Sequence, residues 1–179
     1  MENKVMAAPT AEDIAAAKNQ GSFTAVLTTN KGEITLNLDG AAAPLHVANF
    51  VKLARAGFYN GVVFHRVVPN FVIQTGDPTG TGMGGPGHSI KGEFRSNGVN
   101  NPLKHTRGTL SMARSARPDS AGSKFFIMHA DSPHLDGQYA AFGRVTEGMD
   151  AVDEIAETET DRADRPKMPQ RIKKAYIES

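Results

Sequence analysis

An arginine stands among apolar residues in the segment 64–77, where its guanidinium could act as a fixed hydrogen-bond donor. If the segment is extended, a side-chain period of two places Phe64, Arg66 and Val68 on one face. Gln74 falls on the next short apolar run, close enough to hydrogen-bond the Arg66 guanidinium. Because an unpaired buried charge costs several kcal/mol, Arg66 needs a partner. The spacing alone is equally compatible with a structural salt bridge or a surface arginine.

The sequence Gly80–Gly85 matches the G-x-G-x-x-G pattern of dinucleotide-binding loops. In such a loop the glycines open a helix inside a strand–helix–strand unit. Here Pro86 and Gly87 follow, and no helical periodicity comes after them. We therefore do not expect nucleotide binding. The glycine-rich segment 76–92 is interpreted as a long, ordered loop, which in a compact domain is usually functional.

The sequence gives little support for a metal-binding site or for a catalytic nucleophile. None of the histidines stands at the i, i+4 spacing of a metal-binding helix, and no acidic residue is positioned with them, so each is expected to be a surface or core-edge histidine. The six are His46, His65, His88, His105, His129 and His134. The chain has no cysteine and no G-x-S-x-G sequence, which removes thiolate chemistry and the usual serine hydrolase elbow. We expect no metal and no other cofactor.

The length and composition are typical of a single globular domain. The chain has 179 residues, with 20 Lys and Arg against 19 Asp and Glu, so it carries no basic field for a nucleic acid partner. No apolar run approaches the ~18 residues of a membrane span, and the first residues do not resemble a secretory signal. We expect a cytoplasmic protein that does not contact a membrane, with a monomer as the default.

Short strand-like runs alternate with turns, and only two stretches after residue 21 have helical spacing. One opens at Pro44 and stops before Gly57, and the other covers 149–156. The strand-like runs are 23–29, 33–38, 62–67, 71–74, 108–113, 124–129, 140–145 and 171–177. This pattern favours a mainly β fold closed into a barrel, because closure removes exposed strand edges. Residues 1–20 are predicted to be an extension, either a short helix capped at Thr10 or disordered, and 21–179 the domain.

Several motifs, taken together, strongly resemble the cyclophilin family of peptidyl-prolyl cis-trans isomerases. The resemblance covers about residues 23–177, with the motifs in the family order, and looks most like bacterial cytoplasmic members. The motifs are Phe64-His-Arg66, Phe71-Val-Ile-Gln-Thr-Gly-Asp77, Gly108-Thr-Leu-Ser-Met-Ala113, Gly122-Ser-Lys-Phe-Phe-Ile127, Leu135-Asp-Gly137 and Phe142-Gly143.

The resemblance implies a closed eight-stranded antiparallel β-barrel capped by two α-helices and an enzyme that accelerates rotation about X-Pro bonds. It implies a catalytic role for Arg66, assisted by Phe71 and Gln74, and substrates that are proline-containing peptides and unfolded protein clients. The matching substrate-binding positions are Val72, Gly82, Ala113, Arg114, Lys124, Phe126, His134, Leu135 and Tyr139.

Three positions depart from the family pattern. His134 replaces a tryptophan that contacts cyclosporin in many eukaryotic members, so that drug is expected to bind weakly if at all. Tyr139 replaces a frequent histidine. Lys124 replaces the usual glutamine and would have to point to solvent or find an acidic partner. The last two changes leave an alternative open: a non-catalytic proline-peptide binding or chaperone module on the same barrel.

Overall fold

The structure is a computed structural model that describes residues 4–178, so positions 1–3 of the expected extension and position 179 lie outside the described residues. Its helices are α1 (Ala11–Gln20), α2 (Pro44–Arg55) and α3 (Met149–Ala156). Its strands are β1 (Ser22–Thr29), β2 (Gly32–Asp39), β3 (Arg66–Val68), β4 (Val72–Thr75), β5 (Thr109–Met112), β6 (Phe125–Met128), β7 (Ala141–Glu147) and β8 (Ile172–Ile177).

The strands form one eight-stranded antiparallel sheet in the order β3-β4-β6-β5-β7-β2-β1-β8, which curls into a half-barrel. The mainly β prediction is therefore confirmed, but full closure was overstated. Within the described chain, the two edges of the sheet meet at a single bridge, Val63 to Arg171, and not along a ladder. The reason is local: the run predicted over 62–67 stays irregular until Arg66, so β3 has only 3 residues.

Helices α2 and α3 pack on the sheet, and α2 carries much of the core. Phe50 contacts the rings of Tyr59, Phe125 and Phe142 at centroid distances of 5.2, 5.3 and 5.8 Å. The side chain of Glu93 accepts backbone hydrogen bonds from the first turn of α2. A carboxylate at a helix N-terminus satisfies donors that the helix leaves free.

The N-terminal segment lies against the domain over its described part. Thr10 and Asp13 form a capping box that starts α1. Lys52 of α2 reaches the Asp13 carboxylate at 3.1 Å, and Ala17 is buried. Ahead of the helix, the Met6 amide donates to the Pro86 carbonyl at 2.8 Å. None of the helices described between residues 4 and 178 is long and apolar enough to cross a membrane.

Candidate active site

A row of residues crosses four neighbouring strands on the outer face of the sheet. Arg66 of β3 pairs with Gln74 of β4, Gln74 pairs with Phe126 of β6, and Phe126 pairs with Ser111 of β5. Alternate side chains of these strands point into the main core, because a strand has a period of two. The register therefore brings Arg66, Gln74 and Phe126 to one surface.

A small apolar cluster, separate from the main core, lies on this surface. Its buried members are Val72, Ala113, Phe126, Met128 and Leu135, and the half-buried Phe71 and Tyr139 pack against it. Six of these seven positions were predicted from the sequence to bind substrate or act in catalysis. The exception is Met128, which stands two residues after Phe126 on β6 and so faces the same side. This cluster is called the apolar pocket below.

Aromatic rings and a cation form the rim of the apolar pocket. His134 stacks on Phe71 with ring centroids 6.2 Å apart, and Tyr139 meets Phe126 edge-on at 5.9 Å. The Arg66 guanidinium carbon lies 5.9 Å from the centre of the Phe71 ring. A guanidinium thus stands beside a cluster of apolar side chains.

Gln74 does not hold Arg66 in the expected way. Its amide nitrogen lies 3.4 Å from Nε2 of His65, and the described residues show no hydrogen bond between Gln74 and the Arg66 guanidinium. The chain becomes extended only at Arg66, so the ring of His65, in the irregular segment just before β3, reaches the Gln74 side chain. Burial lowers the pKa of His65 to about 4; the nearby Asp77 opposes this, and the cations Lys124, Arg165 and Arg66 reinforce it.

We expect His65 to make stability fall in acid. The unfolded histidine, with a pKa near 6.5, takes up a proton in a pH range where the folded one, with a pKa of about 4, does not. The free energy of unfolding should therefore decrease as pH falls from 6.5 towards 4, by on the order of 2 kcal/mol. Urea unfolding at a series of pH values measures this slope. In His65→Gln the slope should be smaller, and an equal slope in both proteins would contradict the assignment.

The carboxylate of Asp77 holds the glycine-rich loop in place by accepting hydrogen bonds from it. It is fully buried, and its Oδ1 accepts from the amide and hydroxyl of Thr79 at 2.8 and 2.7 Å. Its Oδ2 accepts from the amides of Gly82 and Gly84 at 2.6 and 3.0 Å. Although burial opposes it, these hydrogen bonds lower the pKa of Asp77 to about 2. The G-x-G-x-x-G match therefore wraps a carboxylate of its own chain.

Lys124 crosses from the start of β6 to this loop. Its ammonium donates to the Gly82 carbonyl at 2.8 Å, so the partner that the sequence left open is a carbonyl and not an acid. Its own carbonyl accepts from the Ala113 amide at 3.1 Å, which ties it to the edge of the apolar pocket. Gly82, with φ of +90°, adopts a conformation that glycine favours.

A cavity of about 570 Å³ opens beside the apolar pocket. It shares Ala113 with the pocket and is bordered by Arg114 and Lys124. Arg114 lies between two rings, with its guanidinium carbon 4.8 Å from the centre of Phe94 and 4.6 Å from that of Tyr139. The remaining lining residues are Val5, Met83, Gly84, Gly85, Pro86, Gly87, His88, Ser89, Ser115, Ser120, Gly122 and Ser123. This space is called the side cavity below.

The expectation that the histidines lack acidic partners was wrong for three of them. His46 contacts Glu93 at 2.6 Å, His105 contacts Asp136 at 2.9 Å, and His129 contacts Asp153 at 3.0 Å. In each pair the carboxylate is at least 24 residues away along the chain, which sequence spacing does not reveal. Each is a two-residue pair, and the described residues hold no group of three side chains that could bind a metal.

His129 supports the turn that carries Phe71. Its Nδ1 accepts from the amide of Asn70 at 2.8 Å, and its own amide donates to the Phe71 carbonyl at 2.8 Å. Asn70 has φ of +62°, a conformation that costs a non-glycine residue some energy. The Nε2 side of the ring faces Asp153, which Arg107 also contacts. His129 therefore fixes the turn from both its ring and its backbone.

Removing the His129 ring should loosen this turn. We expect His129→Ala to lower the free energy of unfolding by about 1–3 kcal/mol, because the Asn70 amide loses its acceptor. Asp153→Asn should cost less, since the histidine ring stays in place. Urea unfolding of both variants tests the order. Equal stability of His129→Ala and the unchanged protein would refute the role given to this ring.

Comparison with known proteins defines the class to which this fold and site belong. The family model for cyclophilin type peptidyl-prolyl cis-trans isomerase/CLD matches residues 24–177. A peptidyl-prolyl cis-trans isomerase of Helicobacter pylori is 52% identical over 133 residues, which cover 73% of this chain and 78% of that protein. A peptidyl-prolyl cis-trans isomerase-like 1 protein of Aspergillus niger is 47% identical over 150 residues, covering 83% and 91% of the two chains.

Solved structures of cyclophilin-type isomerases have the same fold as this chain. A Cryptosporidium parvum cyclophilin type peptidyl-prolyl cis-trans isomerase, crystallised in the presence of the dipeptide Ala-Pro, superposes with a TM-score of 0.81 at 33% identity, covering 87% of this chain and 99% of that one. The chain belongs to the family of cyclophilin-type peptidyl-prolyl cis-trans isomerases.

Proposed function

We propose that this cyclophilin-type isomerase accelerates X-Pro rotation in peptides and unfolded protein clients by placing the Arg66 guanidinium beside a proline held in the apolar pocket. The observation that carries the proposal is the cross-strand row that brings Arg66, Gln74 and Phe126 to one surface. The crystallisation of the Cryptosporidium parvum relative in the presence of Ala-Pro supports a proline-containing substrate.

The chemistry needs no covalent step. An X-Pro bond turns slowly because its amide loses resonance at the twisted midpoint, a barrier of ~18–20 kcal/mol. The prolyl nitrogen gains lone-pair density as the bond twists, so a fixed donor is worth more at the midpoint than in the ground state. An N–H of Arg66 supplies that donor. Shortening tens of seconds to tens of milliseconds, a factor of ~10³, requires only ~4 kcal/mol.

The remaining residues of the site hold the substrate. The apolar side chains of Val72, Phe126 and Leu135 enclose the proline ring, and Phe71 covers it from the rim. Exclusion of water from this recess strengthens the hydrogen bond between Arg66 and the twisting bond. Gln74 binds substrate backbone, and its contact with His65 orients its amide.

The alternative is a binding module that holds proline peptides without accelerating rotation, and Lys124 and Tyr139 motivated it. In the structure Lys124 is tied to the loop carbonyl of Gly82, and Tyr139 packs on the edge of Phe126, so neither fills the space beside Arg66. The contacts therefore favour catalysis.

Exchange NMR on an Ala-Pro peptide separates the two functions. Catalysis predicts cis–trans exchange that speeds up in proportion to protein concentration. A binding module predicts peptide shift changes with exchange at the rate in buffer alone, and that result would overturn the proposal. Refolding of a protein limited by proline isomerisation extends the test to folding clients.

We propose three further properties. His134 stacks on Phe71 at the place where many family members carry the tryptophan, so cyclosporin should bind weakly. A cytoplasmic location is proposed on the balanced charge of the chain. A monomer is proposed on the same balanced composition.

A further inference from the structure

The surface formed by the apolar pocket and the side cavity, called the groove below, is bordered by cations that pair with no carboxylate in the part of the chain that the structure describes. Arg66, Arg114 and Lys124 all border the apolar pocket or the side cavity. Across residues 4–178, the ion pairs of the structure involve other cations, and none includes these three. The hydrogen bonds of Arg114 and Lys124 to other described residues all go to backbone carbonyls.

The charged side chains with the largest effects on His65, which contacts Gln74, are mainly positive. They are Asp77 on one side, and Lys124, Arg165 and Arg66 on the other. Asp77 is fully buried, and both of its oxygens are occupied by donors of its own loop. Its carboxylate is therefore not exposed to pair with Lys124 or Arg66.

Lys124 is placed to meet a bound peptide. It stands two residues before Phe126, so in the extended chain the two side chains leave the same side about 6–7 Å apart. That spacing matches two residues of an extended peptide whose proline sits on Phe126. The Gly82 carbonyl takes one of the three ammonium protons, which fixes the side chain and leaves two donors free.

We propose that this isomerase prefers substrates that carry an acidic side chain within two residues of the proline, with Lys124 as the specificity-determining residue. This inference rests on the proposed function. The carboxylate pairs with the Lys124 ammonium at the mouth of the side cavity, where Arg114 adds a second positive charge. The hydroxyls of Ser115, Ser120 and Ser123 line the same cavity and suit a polar side chain.

The test uses pairs of proline peptides that differ only in glutamate against glutamine, placed one or two residues to either side of the proline. The readout is the ratio of kcat/KM for the two members of a pair, which does not depend on the amount of folded enzyme. At low salt we expect the best-placed glutamate to be favoured by about three- to tenfold, with the ratio falling as salt screens the charges.

Variants at Lys124 test whether this residue causes the preference for glutamate peptides. In Lys124→Gln the ratio should fall towards one, and in Lys124→Glu it should invert. Lys31→Gln, in the exposed β1–β2 turn, removes the same charge away from the groove and should keep the preference. Inversion of the ratio is a result that a purely structural role for Lys124 does not produce.

The outcomes are distinct. If no peptide is accelerated, the proposed function fails. If glutamate and glutamine peptides are accelerated equally at low salt, the function stands and the acidic preference is overturned. If the preference persists in Lys124→Gln, the assignment to Lys124 is overturned.

Discussion

Replacing Arg66 with alanine is expected to lower kcat/KM for X-Pro rotation by about 10²- to 10³-fold, the usual effect of losing one donor aimed at the charge that develops in a transition state. The fold should be little affected. The Arg66 guanidinium contacts the Phe71 ring at 5.9 Å, and an interaction of this kind contributes about 0.5–1 kcal/mol. Exchange NMR for the rate and urea unfolding for stability measure the two effects separately.

Arg66→Lys is the matched control. It keeps the positive charge but replaces the planar set of N–H donors with a compact ammonium, so we expect activity between that of Arg66→Ala and the unchanged enzyme. If charge alone were sufficient, Arg66→Lys would be fully active. Full activity of Arg66→Ala would remove Arg66 from the mechanism.

Changing Asp77 to asparagine should be the most destabilising single replacement in the site. The shape of the side chain is kept, but both carboxylate oxygens accept from N–H groups, from Thr79 at Oδ1 and from Gly82 and Gly84 at Oδ2. Whichever way the amide turns, its NH₂ faces a backbone donor. Leaving buried donors unsatisfied costs about 1–3 kcal/mol each, so we expect a loss of about 3 kcal/mol.

Thr81→Ala is the control for Asp77→Asn, because Thr81 is in the same loop but exposed, with its hydroxyl 3.4 Å from Asp77. It should change stability by less than about 1 kcal/mol. Because the loop also holds Lys124 through Gly82, Asp77→Asn should weaken peptide binding and raise KM. Urea unfolding and kinetics on both variants measure these effects, and equal stability of the two would contradict the role of Asp77.

The strand pattern could be predicted where polar and apolar residues alternate, as in the run 33–38, which lies within β2. The runs that became β4 and β6 do not alternate, so Val72 and Phe126 were identified only through the family resemblance, whereas spacing placed Gln74 on the strand next to Arg66. The same argument fails for Phe64. Period two placed it beside Arg66, but the chain is irregular before β3, and Phe64 joins the main core.

Contacts between distant parts of the chain could not be predicted from the sequence. Glu93 lies 47 residues after His46, and nothing in either segment indicates that the two side chains meet. The partner of Lys124 is the Gly82 carbonyl. Because every residue has a backbone carbonyl, the residue types do not indicate which one accepts this hydrogen bond. Asp77 had a possible signal, because an acid followed by Thr and Gly is typical of a side chain that binds its own loop.

The segment ahead of β1 contributes to the wall of the side cavity. The family match begins at residue 24, yet Val5 forms part of the side cavity wall and Met6 bonds to both Pro86 and His88. His88 in turn reaches Asn49 of α2 at 2.8 Å. Part of the side cavity wall thus comes from residues that precede the segment matched by the family model.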